Sequence, residues 1–94
     1  MKNLSTLEQY NKLYTEVVKI VNKIDPCFYS GPEDEYDYNV NQLLSFIRDH
    51  QINLENFDPK LKIIFFGQNA IEKEESERLL HLSQLLKSLL SDWL

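Results

Sequence analysis

Four carboxylates, Glu33, Asp34, Glu35 and Asp37, stand together with the rings of Tyr36 and Tyr38 in one short run. Oxygen-rich runs of this kind suit a hard cation such as Ca²⁺ or Mg²⁺, which needs several oxygens converging on one point. The spacing argues otherwise. A calcium loop alternates its ligands, turns on a central glycine and closes with a distant bidentate glutamate, whereas Gly31 here precedes the acids. Carboxylates at the start of a helix also cap its free N–H groups and complement its positive end. That role is preferred over a metal site, and a carboxylate-metal hydrolase is left as an enzymatic alternative with no motif behind it.

The remaining reactive side chains are isolated. His50 and His81 lie on different expected helices and neither belongs to an H-E-x-x-H pattern, so both read as structural. Cys27 is the single cysteine. It excludes an internal disulfide, fits a cytosolic chain, and has aromatic and acidic neighbours that disfavour a thiolate. With Gly31 and Gly67 as the two glycines, there is no phosphate-cradling loop and no nucleophile elbow. Nothing calls for a catalytic residue, a cofactor or a resident metal.

Phe28, Tyr29, Tyr36 and Tyr38 crowd the same segment. Tyrosine offers large contact area at little rotamer cost and is enriched at protein interfaces. These rings either plug the end of a core or form a recognition surface with the acids, and both hold if alternate rings face in and out.

The elements that must position this segment read as helices on both sides. Ser5 three residues before Glu8 predicts a capping box, and Leu7, Tyr10, Tyr14, Val17, Val21 and Ile24 recur at helical steps, with Leu13 and Ile20 widening the stripe. Asp25-Pro26 stops this helix, since the residue before proline is driven from helical geometry. A second helix starts either from a box of Ser30 and Glu33 or from Asp37, with Tyr36, Val40, Leu43, Leu44 and Ile47 on one face. Asp58-Pro59 predicts a short third helix ended by Gly67; a buried strand over Lys62 to Phe66 is the competing reading. Asn69 with Glu72 predicts the start of a leucine-rich last helix. The expectation is an all-α bundle of about four helices, near 6–24, 36–49, 59–66 and 70–93, in a single domain covering 1–94.

Composition narrows the function classes. At 94 residues the chain holds one core and little volume for a deep pocket, which weighs against an enzyme. A formal net charge of −5, with the basic residues scattered, argues against nucleic acid and favours a basic protein surface. No signal-like N-terminus or membrane-length apolar run is present in the sequence. A cytoplasmic protein is expected.

The elbow resembles that of a family of short uncharacterised proteins of bacilli and their relatives, marked by Asp-Pro and then Gly-Ala-Pro-Glu-Asp-Glu-Tyr-Asp. Here it runs Asp25-Pro26, then Gly31-Pro32-Glu33-Asp34-Glu35-Tyr36-Asp37 without the alanine. The resemblance implies a small helical domain of a Gram-positive bacterium or its phage and brings no activity with it. Two expectations follow from the residues. The first is a non-enzymatic acidic module that binds or inhibits a basic partner, in the manner of an inhibitor, immunity protein or antitoxin, through Glu33, Asp34, Glu35, Tyr36, Asp37 and Tyr38. The second is a homo-oligomer assembled through Leu82, Leu86, Leu89 and Trp93 of the last helix.

Overall fold

A computed structural model describes residues 6–31 and 34–94 and places four helices along them, with no strand among the described residues: α1 (Leu7–Ile24), α2 (Asp37–Arg48), α3 (Phe57–Phe66) and α4 (Lys73–Leu90). The run over Lys62 to Phe66 is therefore helix. Its apolar side chains divide by helical period, with Leu61, Ile64 and Phe65 inward and Ile63 outward.

Most helix starts lie within a few residues of their expected places, but the caps differ. Thr6 caps α1, its hydroxyl accepting from the Gln9 N–H at 3.3 Å; the expected Ser5 lies outside the described residues, as does Glu33 of the expected second box. α2 has no side-chain cap at Tyr36. α3 begins before Asp58, because Asn53 and Asn56 hold the connector. The Asn53 side chain accepts from the N–H groups of Glu55 and Asn56, and that of Asn56 accepts from the Asn53 N–H at 2.7 Å. Asp58 instead accepts from the buried Ser83 hydroxyl and pairs with Lys87 at 3.1 Å, tying α3 to α4. At α4, Glu75 accepts from the Glu72 N–H at 2.9 Å, so the box starts at Glu72 rather than Asn69.

The helices form a ring in which α1 packs on α2 and α4, and α3 packs on the same two. Leu13, Val17, Val21 and Ile24 of α1 face Val40, Leu43, Leu44 and Ile47 of α2 across a core completed by Phe57, Leu61, Leu82, Leu86 and Leu90. Leu7, placed on the stripe by its spacing, is 75% exposed; the first turn projects beyond the core, and Leu13 anchors the buried face in its stead.

α2 ends in a Schellman arrangement. The Gln51 N–H donates to Phe46 O at 2.8 Å, and that of His50 to Ile47 O at 3.1 Å. His50 occupies the left-handed position, φ 59°, where glycine is favoured. His50→Gly is expected to raise stability by up to about 1 kcal/mol, because the strain relieved outweighs the extra chain entropy of glycine. Urea denaturation of the two chains checks this.

Candidate functional site

Alternation of the four helices brings the ends of α1 and α3 and the starts of α2 and α4 to one end of the bundle. Polar side chains there close the free carbonyls that helix ends leave. The Asn39 side-chain amide donates to Ile64 O at 2.9 Å, and the Cys27 thiol to Phe65 O at 3.4 Å. Arg78 of α4 donates to Asp25 O at 3.0 Å and Ile24 O at 3.3 Å, placing a cation at the negative end of α1. Its guanidinium also lies 3.5 Å over the Phe28 ring.

Asp25 organises the elbow. Proline at position 26 removes it from helical geometry, and it takes the left-handed cap of α1 at φ 50° with its N–H on Val21 O. From there its carboxylate accepts from the N–H groups of Tyr29 at 3.0 Å and Ser30 at 3.1 Å and from the Tyr36 hydroxyl. Tyr36 in turn accepts from the Cys27 N–H at 3.0 Å. Burial pushes the Asp25 carboxyl up, but the Tyr36 hydroxyl, the two amides and Arg78 outweigh it and hold the group below its ordinary range. Burial and the adjoining Asp25 carboxylate raise Tyr36 well above its ordinary value, so it remains a donor. Burial also pushes the Cys27 thiol up, as do the nearby Glu75 and Asp25 charges, while hydrogen bonds from Tyr29 and Tyr36 oppose them. Cys27 is thus a half-buried thiol rather than a thiolate.

Phe28 and Ser30 are also left-handed, at φ 56° and 50°. Side chains with a Cβ pay strain of order 1 kcal/mol each in this conformation. The Asp25 carboxylate holds the backbone in it, turning Phe28 and Tyr29 outward, 39% and 51% exposed.

The expected contact residues separate by burial. Asp34, Glu35 and Tyr38 are exposed. Asp37 is half-buried beside Tyr14, whose hydroxyl burial and then the Asp37 carboxylate push up to about 12. Tyr36 is only 2% exposed, stacked on Tyr29 with centroids 5.1 Å apart and tilted against Phe65 at 5.8 Å. Tyr36, just before α2 and four residues ahead of Val40, is thus packed into the core rather than presented outward like Tyr38. Glu33 lies outside the described residues.

Sequence reasoning missed the contribution of α4. Glu72, Glu74 and Glu75 surround Phe28 in a shallow depression and extend the acidic surface across the chain. Their only signal in the sequence is an acid-rich helix start, which says nothing about which loop it meets. Among the described residues, no three His, Cys, Asp or Glu side chains converge where a metal ion could sit. His81 is exposed on α4.

The expected oligomer residues also change place. Leu82 and Leu86 are fully buried in the chain's own core, while Leu89 and Trp93 are half-buried against it. The exposed leucines of α4 are Leu80 and Leu85, at 56% and 37%. Among the described residues no helix is long and apolar enough to cross a membrane. No protein-family model, curated protein or solved structure matches the chain.

Proposed function

We propose that the protein is a non-enzymatic, acidic interaction module of the cytosol that binds or inhibits a basic partner protein through the elbow end of its bundle. The observation that carries this reading is the union of exposed rings and carboxylates on a pinned backbone. Phe28 stands among Glu72, Glu74 and Glu75, Tyr29 stands beside Glu35, and Asp34 and Tyr38 are exposed in the same stretch of chain. Aromatic rings on a rigid loop supply contact area at little entropic cost. Surrounding carboxylates steer a positively charged surface toward them and disfavour acidic competitors. Tyr36 supports the loop from below and Asp37 supports α2.

Affinity capture from a bacterial lysate identifies the partner, and stopped-flow kinetics with that partner test the surface. The variant Asp34→Asn, Glu35→Gln, Glu74→Gln is expected to keep its helical content and to associate about tenfold more slowly at low salt, with a shallower salt dependence. Equal association rates for both chains at low salt overturn this placement of the surface. A homo-oligomer is the second reading. Exposed Leu80 beside the α3–α4 groove, a trough of about 540 Å³ lined by Pro59, Leu61, Ile71 and Leu79, favours it. On that reading Leu80→Glu lowers the mass measured by analytical ultracentrifugation.

A further inference from the structure

Beside the elbow a cleft of about 230 Å³ opens between Asp25, Tyr29, Gly31, Glu35 and Tyr36. It is smaller than the pockets that take drug-sized ligands and has the scale of one long side chain. Tyr29 stacks one face on Tyr36 and remains half exposed, which leaves ring surface on the open side. The Asp25 carboxylate has hydrogen-bond donors on both oxygens and feels the charge of Arg78, whose guanidinium bonds the Ile24 and Asp25 carbonyls, but among the described residues no cation forms an ion pair with it. Glu35 folds over Gly31, so close that a Cβ built there would stand 2.9 Å from Glu35 Cγ. Glycine at position 31 thus admits a carboxylate to the rim. The cleft combines an aromatic platform, a fixed negative charge in its floor and a second carboxylate at its edge.

We infer that this cleft is the seat of an arginine side chain of the basic partner, its guanidinium lying against the Tyr29 ring and pairing with Glu35. Arginine suits the site better than lysine. Its planar guanidinium stacks on aromatic faces and pairs with a carboxylate through two parallel bonds, whereas an ammonium is a compact, strongly hydrated point charge. The elbow already uses the same chemistry internally, with Arg78 over Phe28. This assignment rests on the reading of the elbow end as a surface for a basic protein and names the partner group it takes.

The test uses the full chain, ¹⁵N-labelled, titrated with N-acetyl-arginine amide and, in parallel, with the matching lysine and citrulline amides. Arginine is expected to give saturable shifts at the amides of Tyr29, Ser30, Gly31 and Glu35, with lysine at least about threefold weaker and neutral citrulline without effect. Gly31→Ala should fold normally, because Gly31 is not left-handed and the atom displaced is on a flexible side chain. It is expected to weaken arginine binding about tenfold by moving Glu35 off the rim. Tyr29→Leu should do the same and Tyr29→Phe should retain binding, since the ring rather than the hydroxyl is the platform. Unsaturable shifts, an equal response to lysine or citrulline, or unchanged binding in Gly31→Ala and Tyr29→Leu overturns the assignment. These outcomes are separable from the broader reading: a captured partner whose association slows with the surface carboxylates removed, but not with Gly31→Ala, leaves the acidic surface standing and removes the cleft.

Discussion

Leu86→Glu is expected to unfold the chain rather than to separate subunits. Leu86 has no exposed surface, and it sits among the buried leucines of α4 at the centre of the ring. Truncating such a leucine to alanine costs about 2–5 kcal/mol, and glutamate adds the cost of burying a carboxylate without a partner. A domain of this length has about 5–14 kcal/mol of total stability, so the sum removes most or all of it. Loss of far-UV helical signal and of a cooperative urea transition is the expected result. A folded Leu86→Glu chain with reduced mass would instead show that α4 leaves the bundle to assemble. Leu80→Glu is the matched control: its side chain lies 56% exposed, so helical content should be unchanged.

The contrast between Leu86 and Leu80 also shows how far the sequence could be read. Helical steps of three and four residues locate a face: Val40, Leu43, Leu44 and Ile47 of α2 are all buried, as are Leu82 and Leu86 of α4. Periodicity does not say whether that face meets the chain's own helices or another copy. On α4 the chain's own core takes up Leu82 and Leu86, while Leu89 and Trp93 stay half-buried and Leu80 and Leu85 stay exposed. Caps were less legible than faces. Thr6 stands beside Ser5, and Glu72 follows Asn69 by a single turn, so several residues of the right type compete for each cap and the position of the core decides among them.

The elbow was recognisable as the unusual segment but not as a structure. Tyr36 belonged both to the inward face of α2 and to the acidic run, and packing on Phe65 resolves that conflict in favour of the core. Asp25 read only as the residue that proline drives out of the helix. Its second role, as acceptor for two amides and a tyrosine, depends on a left-handed turn that side chains with a Cβ seldom adopt. Arg78 and Glu74 reach the elbow from a helix that begins more than forty residues later, a juxtaposition made by the ring of helices and by no local pattern.

Asp25 is where fold and surface are most tightly joined, and its removal is the second large effect. Asp25→Ala is expected to cost about 3 kcal/mol or more. It leaves the Tyr29 and Ser30 amides and the Tyr36 hydroxyl without their charged acceptor, and it places alanine at φ 50°. Asp25→Asn should cost less, because asparagine tolerates the left-handed cap and keeps a carbonyl oxygen. In a double-mutant cycle, Asp25→Ala and Tyr36→Phe should couple by about 1–3 kcal/mol, since each removes the bond from the Tyr36 hydroxyl to the Asp25 carboxylate. The pH dependence has a definite sign. The carboxyl of Asp25 lies below its ordinary 3.8 in the folded chain, so its contribution is complete above that value and is lost as pH falls through the lower folded pKa. Asp58 is depressed as well, chiefly by the Ser83 hydroxyl and with help from Lys87. The measurement is therefore the difference in urea stability between the native chain and Asp25→Asn on acidification. A difference that shrinks below the ordinary carboxylate range supports the Asp25 network, and a constant difference refutes it. If the network holds the rings outward, Asp25→Asn should also slow partner association while Asp58→Asn leaves it unchanged.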